Sequence, residues 1–284
     1  MKFISKIKLF MILLSAILVA GSASAASTSI YAVSVDNTNI YEINVTTGAI
    51  AIVSNSLYKS VSLACDGTNA YYWNSEGNHR GLMKWNPLGS TNTLVNANEI
   101  SEENACFDSS GNLWVLDRTN SYVDGAFLGK TADNTFHLYQ IDKTNGTRTV
   151  SYTLPDVGGY ATGDIAWGPD GKLYISTNNV FWTYDTASNY VWDPADPTNI
   201  ATKGGVYHAG LVWVDGKLYG SKTNDTNGTG AIYELNPTDF SEIALVATMS
   251  TGVTIGDLSN SVPEPATICL LGLASMALMK RQRR

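Results

Sequence analysis

Apolar and polar positions alternate in short runs along most of this chain, and helical spacing is nearly absent between residues 26 and 261. One phrase returns four times: an apolar strand, a polar turn, and a second strand carrying an aromatic residue. It reads SLACDGTNAYYW (62–73), NACFDSSGNLWVL (104–116), DIAWGPDGKLYIS (164–176) and GLVWVDGKLYGS (210–221). Stacked on the first strand, Cys65, Cys106, Trp167 and Trp213 share a column; stacked on the second, so do Tyr71, Trp114, Tyr174 and Tyr219. A shorter strand recurs between these phrases and is closed each time by Asn or Asp: Asn44, Asn86, Asp142, Asp185 and Asn236. Such a residue caps the turn by bonding the backbone two residues on.

The first column advances from Cys65 to Cys106, Trp167 and Trp213 in steps of 41, 61 and 46 residues, the longest step holding an insertion at 118–135. That period belongs to the four-stranded blades of a β-propeller. IGDLSN (255–260) resembles the first strand TGDIAW (162–167) but has no second strand after it, whereas SIYAVS (29–34) looks like a second strand without a first. Joined, they complete a blade and leave no wide sheet edge. The expected fold is therefore all-β: a β-propeller of five four-stranded blades, closed by pairing of the N- and C-terminal strands. A β-sandwich is the alternative, but sandwiches do not repeat a blade-length phrase.

The two ends break the pattern. MKFISKIK is basic, LFMILLSAILVAG is apolar, and Ala23 and Ala25 flank Ser24 as small residues of a cleavage site, so residues 1–25 read as a secretory signal peptide. The chain closes with Val262-Pro263-Glu264-Pro265, an apolar run from Ala266 to Met279, and the cluster Lys280, Arg281, Arg283, Arg284. As a transmembrane helix the run spans roughly 21 Å against roughly 30 Å of hydrocarbon, short for a permanent anchor. The basic cluster stays on the cytoplasmic side. Two prolines keep the motif extended and poor in hydrogen bonds, so a membrane enzyme can grip it.

This order of parts resembles the PEP-CTERM sorting signal, a tail also labelled an ice-binding protein C-terminal domain, though nothing in it concerns ice. The resemblance implies export through the inner membrane of a Gram-negative bacterium and recognition of Val262-Pro263-Glu264-Pro265 by exosortase, a membrane-embedded cysteine transpeptidase. It further implies transient membrane anchoring, removal of the tail, and release to the cell surface or the exopolysaccharide matrix of a biofilm. An ordinary C-terminal anchor is the alternative. The organisation read from the chain is thus 1–25 signal peptide, 26–261 propeller domain and 262–284 sorting signal.

Processing changes the charge. The chain of 284 residues carries 18 basic and 25 acidic residues, a net −7. Losing both ends leaves 11 basic and 24 acidic residues, near −13, which argues against nucleic acid or anionic membrane as a partner. Only Cys65 and Cys106 remain of three cysteines, so this is no disulfide scaffold. A disulfide between Cys65 and Cys106 is conceivable in an oxidising compartment. Equivalent inner-strand positions are set against the roughly 7 Å Cα limit for a bridge, however, and two small buried thiols are the preferred expectation.

In a propeller, the loop entering each inner strand and the loop joining its two middle strands share one face. Here that face carries the variable segments 74–81, 118–135 and 221–230. Lys59, Glu102, Glu103, Asp164, His208 and Asp257 are expected to ring the channel mouth on it. Tyr122, Phe127, Tyr160 and Tyr207 are candidate platforms for sugar rings, while Trp167 and Trp213 fall in the core register. The ligand-binding candidates are therefore Glu102, Glu103, Tyr122, Phe127, Asp164, Tyr207, His208 and Asp257. Carboxylates at Glu102, Asp164 and Asp257 could hold calcium, which takes hard oxygen ligands, or could be solvated loop groups.

No nucleophile elbow, zinc signature or phosphate loop is present, so no catalytic residue is assigned. The expectation is a non-catalytic binding or structural protein of the cell surface or matrix, with exopolysaccharide as ligand. A glycan hydrolase or lyase using Glu102 and Asp164 is the runner-up, because such chemistry needs two carboxyls about 5–10 Å apart. A protein-interaction platform on the same face is the third reading. Deleting residues 262–284 is expected to abolish C-terminal trimming and surface sorting, followed by cell fractionation and mass of the product; unchanged sorting would contradict the reading of the tail.

Overall fold

The computed structural model describes residues 28–74, 81–96, 104–118, 120–123, 126–130, 136–154, 163–176, 181–184, 208–222 and 229–261. All belong to one compact unit, Thr28–Val262. In chain order, β1 (Ser29–Ser34), β2 (Asn39–Asn44) and β3 (Ile50–Asn55) open the first blade. The second is β4 (Ser60–Cys65), β5 (Ala70–Asn74), β6 (Gly81–Asn86) and β7 (Thr91–Asn96). The third takes β8 (Ala105–Phe107) and β9 (Leu113–Arg118), then β12 (Phe136–Ile141) and β13 (Arg148–Leu154). Between its middle strands sits a separate hairpin, β10 (Asn120–Val123) with β11 (Ala126–Lys130), where the sequence has its insertion. The fourth blade shows β14 (Ile165–Trp167), β15 (Leu173–Ser176) and β16 (Phe181–Tyr184) among the described residues. The fifth is β17 (Gly210–Val214), β18 (Lys217–Lys222), β19 (Ala231–Leu235) and β20 (Glu242–Thr248). Last, β21 (Ile255–Asn260) returns to pair antiparallel with β1, giving the order β21-β1-β2-β3. The protein is a five-bladed β-propeller whose ring closes at the two chain ends.

Local chemistry explains the hairpins. In the turn after β4, Asp66 Oδ1 accepts from the amides of Thr68 (3.0 Å) and Asn69 (2.8 Å); after β8, Asp108 Oδ1 does the same for Ser110 and Asn112, both at 2.9 Å. Between β17 and β18, Asp215 and Gly216 have φ of 50° and 73°, the two left-handed residues that a two-residue hairpin needs. Asn44, Asn86, Asp142 and Asn236 each accept the amide two residues on, as the spacing suggested. Asp185 lies outside the described residues.

Five apolar clusters fill the five gaps between blades. Tyr31, Val33 and Ile40 of the first blade meet Leu63, Tyr72 and Trp85 of the second. Ala64, Tyr71 and Leu82 continue to Ala105, Leu113 and Val115 of the third, which presents Trp114, Leu116 and Leu138 to Ile165, Leu173 and Ile175 of the fourth. Ala166, Tyr174 and Phe181 then meet Leu211, Leu218 and Leu235, and the fifth blade returns through Val212, Tyr219 and Ile232 to Ile30, Ala32 and Leu258. Each blade thus spends one face on each neighbour, by the two-residue alternation of its strands. A fully buried Leu or Ile contributes about 1.5–3 kcal/mol, so the core is these five seams.

Strand pairing corrects one column of the sequence alignment. Tyr71 lies opposite Ala64, but Trp114 lies opposite Cys106, so Cys106 matches Ala64 and it is Phe107 that matches Cys65. The turn before β9 is one residue longer than that before β5, which shifted the column. Cys65 therefore packs between the first and second blades and Cys106 between the third and fourth; both are free thiols.

The fit is tight where the ring closes. A Cβ on Gly210 would lie 2.6 Å from Leu258 N and 2.9 Å from Asp257 C, both backbone. Gly210→Ala is expected to destabilise the propeller by about 1–3 kcal/mol through overpacking. A denaturant midpoint equal to that of the unsubstituted protein would contradict this seam.

Candidate functional site

The inner strands run from the loop face toward the tight-turn face, and strand pairing puts Ser62, Asn104, Asp164, Gly210 and Asp257 at one register near their start. All five are buried. At this level the fourth and first blades each point a carboxyl group at the next blade's inner strand. Asp164 Oδ2 accepts from Leu211 N of the fifth blade at 2.5 Å, and its Oδ1 from Ile165 N at 2.7 Å. Asp257 Oδ2 accepts from Leu63 N of the second blade at 2.5 Å, and its Oδ1 from Leu258 N at 2.6 Å. Gly210 comes between them in the ring and leaves its space to the backbone of β21.

The two carboxyl groups are also hydrogen-bonded to each other, and both have no solvent-exposed surface. Burial raises both pKa values, Asp164 to about 7 and Asp257 well above the ordinary carboxylate range, with mutual repulsion adding to the rise at Asp257; the backbone amides oppose it. Two carboxyls this close cannot both ionise cheaply, which favours a proton held on the pair. Cys106 lies near enough that burial, then Asp164 and Asp257, push its thiol well above the ordinary range. A thiol raised in this way carries little thiolate at neutral pH, although Cys106 itself is only half-buried.

The same strands frame a small recess at their far end, of about 50 Å³. Cys106, Phe107, Trp167, Trp213, Ser259 and Asn260 line it. It admits water or one small group, far below the roughly 300 Å³ of an ordinary small-molecule pocket. Trp167 and Trp213 serve mainly as packing: their rings lie 6.0 Å from Trp114 and 5.1 Å from Tyr174, across the seams on either side of the fourth blade.

Asp164, His208 and Asp257, expected at an open mouth, are interior groups here. His208 is fully buried against Phe181, ring centroids 5.6 Å apart, and its Nε2 is 3.9 Å from Glu242 Oε1, beyond hydrogen-bonding distance. Burial, with a smaller push from the Lys222 charge, lowers its pKa to about 4. Lys59 stands in the loop entering β4. Tyr122 and Phe127 face each other as Cα partners across the β10–β11 hairpin. Glu102, Glu103, Tyr160, Tyr207, Ala23, Ala25 and Val262-Pro263-Glu264-Pro265 lie outside the described residues. Among the described residues no three His, Cys, Asp or Glu side chains converge as metal ligands would. No described helix is long and apolar enough to cross a membrane.

Sequence reasoning missed how turn carboxylates are used. Asp108 Oδ2 accepts from Trp114 Nε1 at 2.9 Å and Asp170 Oδ2 from Tyr174 Oη at 3.0 Å, tying each turn to the aromatic column. The signal was present in the recurring Asp before each aromatic.

Comparison with known proteins adds two things. Residues 261–284 match the PEP-CTERM protein-sorting motif. The motif implies an exported protein, processed by exosortase and anchored transiently in the membrane before it reaches the surface. No curated protein matches the chain. Among solved structures, a nidogen/laminin complex matches with a TM-score of 0.51 at 11% identity, covering 83% of this chain and 81% of that one. A symmetrical protein from a study of de novo evolutionary emergence also gives 0.51, at 14% identity, over 83% and 99%. A putative gluconolactonase gives 0.47 at 13% identity, over 83% and 82%. Likenesses this distant concern the strand arrangement and carry no chemistry. The chain is an exported β-propeller bearing a PEP-CTERM sorting motif.

The shared proton fixes a pH signature. The two carboxyls have raised folded pKa values against an ordinary 3.8, so their stabilisation is full below that value and is lost as pH rises through about 7. His208 acts oppositely: its lowered pKa costs stability as pH falls from 6.5 toward 4. The Asp257→Asn protein should therefore be less stable than the parent at pH 4, with the difference shrinking toward pH 7, as read from urea midpoints. A difference that widens with pH would show two ionised carboxylates in the parent.

Proposed function

We propose that the processed protein acts at the cell surface or in the extracellular matrix as a non-catalytic binding and structural propeller, with exopolysaccharide bound on its loop face. One observation carries this reading: every oxygen of Asp164 and Asp257 is taken by a backbone amide, and the two carboxyls are bonded to each other. The acidic pair at the axis works for ring closure, which leaves recognition to the loop face, where the β10–β11 hairpin brings Tyr122 and Phe127 together. Net negative charge after processing suits a neutral or cation-bridged glycan. The sorting motif supports delivery to the compartment where such a polymer lies.

A glycan hydrolase or lyase would have to present Asp164 to substrate beside Glu102, and burial of Asp164 speaks against that use. Calcium held by Glu102, Asp164 and Asp257 would have to displace the shared proton, so its binding would strengthen as pH rises.

Co-sedimentation of the processed protein with the host's own exopolysaccharide, with calcium and with chelator, tests the proposal. Saturable binding without glycan shortening is expected, weakened roughly two- to tenfold by Tyr122→Ala with Phe127→Ala, the range for losing aromatic contacts. Turnover abolished by Glu102→Gln or Asp164→Asn would replace it with the catalytic reading. Binding in neither condition would move the ligand class to protein.

A further inference from the structure

Both ends of the propeller leave it on the same face. β21 runs antiparallel to β1, and Ser261 N donates to Ser29 O at 3.3 Å, so the exit of one strand adjoins the entrance of the other. Val45 N, in the turn between β2 and β3, donates to Thr28 O at 2.8 Å. That turn lies on the tight-turn face, with those at 66–69, 108–112, 168–172 and 215–216. The loop face is at the other end of the strands, about 20 Å away for a six-residue strand such as β21.

Almost no chain separates this face from the processing signals. The sorting motif begins at residue 261, directly after β21 ends at Asn260. Five residues reach from Asn260 to Pro265, at most about 18 Å fully extended. On the other side only residues 26–28 lie between the expected cleavage after Ala25 and β1. A membrane-bound enzyme that grips Pro263-Glu264-Pro265 must therefore work beside the tight-turn face, and a signal peptide still attached would hold the same face.

We propose that the propeller turns its tight-turn face to the membrane surface for as long as the chain is tethered, with the loop face directed outward. The tether holds it there, not affinity for lipid. The turns on this face hold Asp66, Asp108, Asp170 and Asp215 against Lys172, and the nearby Lys143 and Lys217 are paired with Asp66 at 3.1 Å and Glu234 at 2.8 Å, so the face is not the basic surface that anionic headgroups favour. Trimming of the tail then releases this face, and the outward loop face is free to engage ligand before and after release.

Two exposed leucines supply matched probes: Leu88, 65% exposed in the turn between β6 and β7 on the tight-turn face, and Leu57, 55% exposed in the loop between β3 and β4 on the other. A diazirine amino acid at either position of the full chain would be photoactivated in cells accumulating the untrimmed form, and again after trimming. Position 88 should crosslink to lipid or membrane protein at least about fivefold more than position 57, and should lose that yield on trimming. Equal yields at the two positions, a higher yield at 57, or an unchanged yield at 88 after trimming would overturn the proposal. The readout involves no polysaccharide, so it fails or succeeds separately from the binding function.

Discussion

Blades of a propeller are separate sheets, so the inner strands pass one another around the axis without a shared ladder. Their amides on the side facing the next blade still need acceptors, because an unpaired buried N–H costs about 1–3 kcal/mol. Asp164 and Asp257 supply these acceptors twice, each reaching over to the strand of the following blade, and the proton they share lets both be buried together. Blades four and five are joined by one carboxyl, blades one and two by the other, and the contact between the two carboxyls links these pairs across the axis. The remaining positions of the register are Ser62, Asn104 and Gly210, and at Gly210 the backbone of β21 fills the space.

Ring closure depends on the same geometry. Asp257 sits on β21, so its reach to Leu63 is available only once the C-terminal strand has docked on β1. The last strand of the fold thus brings in half of the axial pair and carries the sorting motif immediately behind it. Folding and sorting are connected at that boundary, and Ser261, 4% exposed and bonded to Ser29, is the residue where one ends and the other begins.

Much of this was legible in the sequence because blades repeat. The four phrases with an aromatic second strand, the Asn and Asp turn caps, the insertion at 118–135 and the complementary half-blades at 29–34 and 255–260 all signal local events, which sequence spacing records well. The axial pair was half legible. TGDIAW and IGDLSN advertise equivalent aspartates, but a strand's own pattern does not say whether its first polar residue meets solvent or the next blade, so they were placed at the channel mouth. Cys106 was misaligned by one residue for a similar reason: the length of its turn, not the strand, set the register, and only pairing with Trp114 reveals it.

The shared proton is the claim on which the electrostatics, the ring closure and the non-catalytic reading converge. The most direct measurement is a carbon-13 NMR titration of the side-chain carboxyl carbons of Asp164 and Asp257 from pH 3 to 9. Two resonances that titrate together, well above the ordinary aspartate value of 3.8, are predicted. Two independent titrations near 3.8 would mean that both groups are ionised and solvated, and the axis would again be a candidate ligand site.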